Sequence, residues 1–194
     1  MMRLLTTGIS DWLAKEKVIL PSDANLYTYA IRCFLFGTLP LIMDLFWGII
    51  FECPIESLIL FIPFMLIRKF CGGFHFKSPL KCSLVSFLII GISVFAMHTI
   101  QKSTIPVILT ALVLIAVISI YTFSPIDSSS RKLSYQEKLY FRKIARLLAA
   151  ISAALYCILL GIDATYWAVP IGIGIIVPAL LQLPCIFNQL CTRE

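Results

Sequence analysis

The chain has 194 residues, of which 60% are hydrophobic and only 13% charged, and its mean hydropathy is +0.96. This composition excludes an ordinary soluble domain and predicts an all-α integral membrane protein. The net charge of +6 does not indicate nucleic-acid binding, because the basic residues lie at the edges of apolar segments, where they orient a membrane protein and contact anionic membrane lipids.

The first 20 residues predict an amphipathic helix that lies on the membrane surface. Their apolar side chains recur at roughly helical spacing, and Lys15, Glu16 and Lys17 interrupt the apolar run. A signal peptide is a poor alternative, because the segment has no continuous apolar core and no small-residue cleavage site. We therefore expect residues 1–20 to stay attached as an interfacial helix.

Six apolar segments follow and predict about six transmembrane helices within a single polytopic membrane domain over residues 1–194. The second segment would be about 20 Å long as a helix, against a hydrocarbon thickness of about 30 Å. The sixth contains several prolines and is predicted to be kinked or broken. The predicted spans are Tyr27–Ile50, Ile55–Ile67, Ser83–Ile100, Ile105–Phe123, Leu147–Ile162 and Tyr166–Phe187.

The basic residues predict which side of the membrane each loop faces. With six spans, the N-terminal segment, the loop over residues 68–82, the basic loop over residues 124–146 and the C-terminal tail share one side. These regions hold nearly all the Lys and Arg, and Lys102 alone is clearly opposite. By the positive-inside rule this side is the cytoplasm, so both termini and the loop over residues 68–82 are expected to face inward.

The loop over residues 68–82 carries a candidate Cys/His pair. Ser78-Pro79 predicts a helix start, which puts Cys82 in the first turn, where unpaired N–H groups favour thiolate over thiol. Because Pro79 disfavours helix just before it, Gly72–Lys77 is predicted to form a turn that folds His75 back over Cys82. The functional interpretation is Cys82 as nucleophile and His75 as base. The alternative is a positively charged loop that merely anchors two helices at the membrane surface.

Three other residues were possible functional groups on sequence grounds. Cys71 is a rival nucleophile, although the glycines after it argue against the helix that would align it with His75, and no helix start activates it. Asp44 is costly inside a membrane and is therefore a functional candidate, the alternative being a hydrogen bond to a neighbouring helix. His98 is more typical of a packed or interfacial histidine. No disulfide framework, metal site or cofactor is predicted, since the soft ligands of the loop lack a nearby fourth partner.

The sequence R-K-F-C-G-G-F-H-F-K-S-P-L-K-C over residues 68–82 resembles the Arg-x-x-x-Gly-Gly-x-His-x(6)-Cys pattern of the accessory gene regulator B family. Members of that family are membrane cysteine endopeptidases of Gram-positive quorum sensing. A second landmark, Phe123–Asp127 followed by a basic stretch, is also similar, so the resemblance covers essentially the whole chain. One departure is Ser128–Lys132, where the family leads us to expect a sequence richer in Asn, Lys and Pro.

The resemblance implies a multi-pass cysteine peptidase of the bacterial cell membrane, with Cys82 as nucleophile and His75 as general base and acid. It implies a propeptide substrate with an amphipathic leader, a central signal sequence containing Cys or Ser, and an acidic C-terminal tail. Cys82 would form a thioester with the signal as the tail leaves. Attack by the substrate's own side chain would then release a thiolactone or lactone ring still joined to the leader.

Several residues are expected to contact this substrate. The basic side chains after residue 130 would attract the acidic tail, while the leader would share the membrane surface with residues 1–20. The short second span and the glycine turn would shelter the thioester from water, and backbone N–H groups of the turn or of the helix start would stabilise the oxyanion. The sequence leaves open whether Arg68 orients the loop or binds the leaving segment, and whether the chain forms a homodimer. The expected substrate-binding residues are Arg68, Gly72, Gly73, Arg131, Lys132, Arg142 and Lys143.

Two functions from other classes remain as alternatives. A small transporter or channel is suggested by the proline-containing sixth span and by Asp44. A non-catalytic membrane scaffold would recruit a cytoplasmic partner to the basic loop. Both alternatives survive if Cys82→Ala leaves activity intact, whereas the peptidase interpretation requires its loss.

Overall fold

The computed structural model describes residues 2–73, 78–102, 106–126 and 134–191. Of these residues 88% are helical and none lies in a strand, which confirms the all-α prediction for the described ranges. A single 3-10 turn, Pro21–Asp23, precedes the second helix. The α-helices are α1 (Met2–Lys15), α2 (Ala24–Ile50), α3 (Pro54–Cys71), α4 (Pro79–Gln101), α5 (Pro106–Phe123), α6 (Tyr135–Gly161) and α7 (Thr165–Cys191).

Four of the helices, α2, α4, α6 and α7, are long and apolar enough to cross a membrane. The apolar part of α5, Val107–Phe123, is shorter, and α3 has 18 residues that include three charged side chains. Length and composition therefore support four of the six predicted spans. Membrane crossing by α3 and α5 stays a prediction, as does the location of α1 at the membrane surface.

The predicted basic loop over residues 124–146 is wrong over its second half, because α6 already begins at Tyr135. The Ser134 hydroxyl accepts a hydrogen bond from the Glu137 backbone N–H at 3.3 Å. In return, the Glu137 carboxylate accepts one from the Ser134 backbone N–H at 2.9 Å. This capping box satisfies two N–H groups at the helix start, so the charged run forms the first turns of the helix.

The chain divides into two compact units, Met1–Ile42 and Met43–Glu194. The first unit holds α1 and the first part of α2. Its helices are joined by Ser10 and Thr28, whose hydroxyl oxygens lie 2.5 Å apart. Ser10 is buried while Trp12 is 58% exposed. The polar side of α1 therefore packs inside this unit and an aromatic side chain faces outward.

Helix α7 is the central helix of the second unit. It contacts α3, α4, α5 and α6, and 67% of its apolar stretch is buried, against at most 28% for the other three long apolar helices. It is one continuous helix through Pro170, Pro178 and Pro184, so it is not broken there, while a kink stays a prediction. A Cβ atom on Gly174 would lie 2.6 Å from the Leu60 carbonyl oxygen. The glycine therefore lets the backbones of α3 and α7 approach closely.

Asp44 is fully buried in the second unit. Neither of its carboxylate oxygens makes a hydrogen bond among the described residues, although the Ser57 hydroxyl lies beside it. The gap next to the carboxylate has no room for a water molecule. It is lined, besides Asp44, by Leu60, Phe61, Phe64, Ile89, Ile90, Ser93 and Val177.

An aromatic cluster joins the end of α2 to α4. The Trp47 indole N–H donates to the Phe87 carbonyl oxygen at 3.1 Å, and the two rings are 5.0 Å apart. His98 stacks on Phe51 with ring centroids 6.3 Å apart. This contact agrees with the expectation that His98 is a packed histidine.

We expect Gly174→Ala to lower the midpoint of thermal unfolding in detergent by about 2–10 °C, because overpacking costs about 1–3 kcal/mol. Gly37→Ala is the matched control, since this helical glycine has nothing within 4 Å of the added methyl group. That change should leave the midpoint unchanged or raise it, because alanine is the better helix former. An unchanged midpoint for Gly174→Ala would contradict the close approach of α3 and α7.

Candidate active site

The backbone turns sharply where α3 ends. Gly72 has a φ of +73° and Gly73 a φ of +130°, values that residues with a side chain rarely adopt. Gly72 pairs with Ile126 in an isolated parallel bridge, and the Ile126 N–H donates to the Cys71 carbonyl oxygen at 3.0 Å. The two glycines therefore form a corner with one defined conformation, tied to the segment that follows α5.

Arg68 braces this corner from within α3. Its guanidinium Nη1 donates to the Gly72 carbonyl oxygen. Gly73 is buried against the same guanidinium and the Leu181 carbonyl oxygen, which would lie 3.0 Å from an added Cβ. Arg68, Gly72 and Gly73 therefore form one structural unit. Arg68 thus contacts the two glycines at the start of the loop, while both roles considered for it, orienting the loop and binding the leaving segment, stay predictions.

Gln182 of α7 is a further contact of the corner, which the sequence analysis missed. Its fully buried Nε2 donates to the Cys71 carbonyl oxygen at 3.0 Å and to the Ser124 hydroxyl at 2.8 Å. The available signal was the one amide in the apolar stretch Thr165–Ile186 of α7, because polar side chains inside membrane helices are usually held by hydrogen bonds. The sequence could flag the residue but not identify its partners.

The predicted helix start at Ser78-Pro79 is confirmed. Ser78 is the N-cap residue, with extended backbone at φ −91° and ψ 122°, and Pro79 opens α4. The Cys82 N–H donates to the Ser78 carbonyl oxygen at 3.0 Å, so Cys82 lies in the first turn. Its thiol is half-buried and is not part of a disulfide. The Ser78 hydroxyl makes no capping bond to the helix.

Three cysteine thiols act electrostatically on the guanidinium of Arg68. Burial lowers the pKa of Arg68, and the nearby thiol groups of Cys71, Cys185 and Cys82 oppose this effect. Cys82 has the smallest of these three effects, so Arg68 and Cys82, two of the predicted site residues, interact electrostatically.

Cys71, the rival nucleophile, is fully buried at the end of α3. Burial raises the pKa of its thiol to about 11, although Arg68 and hydrogen bonds act in the opposite direction. At neutral pH this thiol carries its proton, and it is also shielded from solvent. Both properties are unfavourable for a nucleophile, which must be an accessible thiolate.

The other predicted site residues either lie outside the described residues or are exposed on α6. His75 lies outside the described residues, as do Arg131 and Lys132. Arg142 and Lys143 are exposed on the first turns of α6. No group of three metal-ligating side chains occurs within the described ranges.

Arg146, one turn further along α6, is engaged within the protein. Its Nε and Nη2 donate to the Tyr121 carbonyl oxygen at 3.1 and 2.7 Å. This carbonyl lies near the end of α5, where the helix has no partner of its own for its last carbonyl groups. Arg146 therefore joins α6 to α5, and Arg142 and Lys143 are the exposed basic pair on this part of α6.

Comparison with known proteins is informative at the level of the family. Residues 6–185 match the family model described as accessory gene regulator B. No curated protein and no solved structure matches the chain. Because the match covers nearly the whole chain, including the glycine corner and the start of α4, the chain belongs to the accessory gene regulator B family, which takes part in the processing of autoinducing peptides.

Proposed function

We propose that this chain is a membrane-embedded cysteine endopeptidase that removes the C-terminal tail of a quorum-sensing propeptide and promotes cyclisation of the remainder. Cys82 is the nucleophile and His75 the general base and acid. The observation that carries the proposal is a half-buried thiol in the first turn of α4, where the positive end of the helix favours a thiolate. Membership of the family supports the same reaction class.

The reaction has two acyl-transfer steps. The Cys82 sulfur attacks the carbonyl carbon between signal and tail while His75 accepts the thiol proton. The C–N bond then breaks, His75 returns the proton to the departing amine, and the signal remains as a thioester on Cys82. A thiol of the substrate next attacks this thioester. The bond to Cys82 breaks, the proton returns to its sulfur through His75, and a thiolactone ring leaves; a substrate serine gives a lactone by the same route.

The start of α4 offers donors for the oxyanion of each step. The backbone N–H groups of Leu80 and Lys81 have no acceptor within the helix, and the Ser78 hydroxyl does not cap them. The Cys82 N–H is already bound to the Ser78 carbonyl oxygen. Loss of one oxyanion donor typically costs about 2.7–4 kcal/mol of transition-state stabilisation. We infer that these two N–H groups, with the charge of Arg68 nearby, stabilise the oxyanion.

Covalent geometry allows His75 to reach this site. Three residue steps separate positions 75 and 78, a reach of up to about 11 Å. Cys82 lies about 6 Å further along the axis of α4. The histidine can therefore approach the thiol without any change in the helices, provided that the loop folds back from the glycine corner.

Cyclisation requires that water be kept from the thioester. Exchange of one thioester for another is close to isoenergetic, whereas hydrolysis is downhill, so a wet site would release linear product. Two features of the corner support a dry site. Cys71 and Gly73 are both buried, and Cys82 is only partly exposed. The glycine corner and the start of α4 would then form one wall of the site.

The substrate is a propeptide with an amphipathic leader and an acidic tail. Arg142 and Lys143, exposed on α6, are proposed to attract the tail together with Arg131 and Lys132. The leader is proposed to lie on the membrane surface beside residues 1–20, in contact with membrane lipids. The positive-inside rule assigns this side, with both termini, to the cytoplasmic face of the bacterial membrane.

The transporter alternative rests on Asp44 and on a broken sixth span. Helix α7 is continuous, and the gap beside Asp44 has no room for a water molecule. Neither feature favours a passage through this part of the protein. The scaffold alternative predicts that the thiol of Cys82 is dispensable, which the following experiment decides.

We expect Cys82→Ala to abolish release of the tail from a co-expressed propeptide, because no nucleophile remains. Cys71→Ala is the matched control and should retain cleavage within about threefold, since a buried, protonated thiol does not attack. Iodoacetamide at pH 8 should alkylate Cys82 well before Cys71, as read by peptide mass spectrometry. Full cleavage by Cys82→Ala would reject the peptidase proposal, and loss of cleavage only in Cys71→Ala would reassign the nucleophile.

We expect the double change Arg142→Gln and Lys143→Gln to slow cleavage about threefold to tenfold at low propeptide concentration, because each exposed ionic contact contributes about 0.2–1 kcal/mol. Raising the salt concentration should slow the unchanged protein more than the variant. Lys102→Gln removes an exposed positive charge at the far end of α4 and should have neither effect. Identical salt dependence in all three proteins would rule out docking of the tail at this part of α6.

A further inference from the structure

Gln182 is a fully buried amide in the most buried of the long apolar helices. An amide in such surroundings is costly unless its donors and acceptors find partners. Its Nε2 has two, the Cys71 carbonyl oxygen at 3.0 Å and the Ser124 hydroxyl at 2.8 Å. One side chain of α7 therefore contacts both the end of α3 and the segment that follows α5.

The orientation of this amide is fixed by its partners. If the amide were reversed, its oxygen would face the Cys71 carbonyl oxygen, and two acceptors would meet without a hydrogen atom between them. In the observed orientation, Gln182 Oε1 is buried and has no hydrogen-bond partner among the described residues. This orientation directs both N–H groups of Gln182 at the corner and the segment that follows α5.

The hydrogen bond from Gln182 to the Cys71 carbonyl oxygen holds the end of α3. This carbonyl belongs to the last turn of α3, where carbonyl groups lack partners within the helix. It accepts hydrogen bonds from Gln182 Nε2 and from the Ile126 N–H, and the next carbonyl, that of Gly72, accepts one from Arg68. Arg68 moves with α3 itself. Gln182 is thus the side chain that ties the end of α3 to the central helix.

We propose that Gln182 is a positioning residue, which fixes the end of α3 at Cys71 and thereby the point from which the loop carrying His75 departs toward Cys82. The inference rests on the proposed function for the roles of His75 and Cys82, but the positional claim can be measured without catalysis. Loss of the Gln182 contact should leave the helices folded and loosen the corner. The distance between positions 75 and 82 would then vary more widely.

The test is a proximity measurement between positions 75 and 82. In a chain whose other cysteines are replaced by alanine, His75→Cys supplies a second thiol, and dibromobimane becomes fluorescent when it bridges the two. Cys71→Ala in this background keeps the backbone carbonyl that Gln182 binds. Gln182→Met preserves the length of the side chain and removes the donor. Thr110→Val is the control, since it removes a hydrogen bond of 2.9 Å between α5 and Tyr156 of α6 instead.

We expect Gln182→Met to lower the bridging rate about tenfold, which corresponds to about 1.4 kcal/mol, while Thr110→Val changes it less than twofold. In the otherwise unchanged protein, Gln182→Met should lower kcat for propeptide cleavage by a larger factor than it raises KM, because the basic residues proposed to dock the tail are unchanged. Equal bridging rates and equal kcat values for Gln182→Met and Thr110→Val would overturn the proposal.

A second, milder variant keeps the proposal testable if Gln182→Met misfolds. Ser124→Ala removes one acceptor of Gln182 and should lower the bridging rate about threefold, and a rate equal to that of Thr110→Val would count against the proposal. The peptidase proposal and the proposal for Gln182 can be contradicted independently of each other. Retention of cleavage by Cys82→Ala would reject the peptidase function, whereas the bridging rate would still decide whether Gln182 positions the loop.

Discussion

The carbonyl groups that end α3 have no backbone N–H partner within their own helix, and the site depends on where they find other donors. The Cys71 carbonyl accepts from Gln182 of α7 and from the Ile126 backbone, and the Gly72 carbonyl accepts from Arg68. Three parts of the chain thus converge on two consecutive peptide groups. Because a buried carbonyl left unpaired is costly, these contacts hold the end of α3 in one place.

The structure assigns the two glycines a different role from the one that the sequence suggests. In the sequence, Gly72-Gly73 suggests a flexible turn, whereas in the structure the pair is a corner with defined positive φ values and no space for a side chain at Gly73. Because glycine has no side chain, it can adopt these positive φ values and can fit between Arg68 and the Leu181 carbonyl oxygen. For a cysteine peptidase this is useful, because a base must be held within hydrogen-bond reach of its nucleophile.

Burial separates the roles of two thiols that the sequence places near the same histidine. Cys71 is enclosed at the end of α3 and has a raised pKa, whereas Cys82 is half-buried at the start of α4. Arg68 interacts electrostatically with both thiols and donates a hydrogen bond to the Gly72 carbonyl oxygen. One arginine therefore contributes to the shape of the corner and to the charge of the proposed active site.

The sequence by itself determined those features that depend on residues close together in the chain. Composition indicated a helical membrane protein, and Ser78-Pro79 predicted the helix start with Cys82 in its first turn. The capping box of Ser134 and Glu137 is an equally local signal, but the charge of the surrounding residues predicts a loop, whereas α6 already begins at Tyr135. Only the tertiary structure revealed the contacts of Arg68 with the glycines, the burial of Cys71 and the role of Gln182. The reason is physical: helix starts depend on bonds between residues a few positions apart, whereas Gln182 and Cys71 are 111 positions apart and meet only because α7 packs against α3.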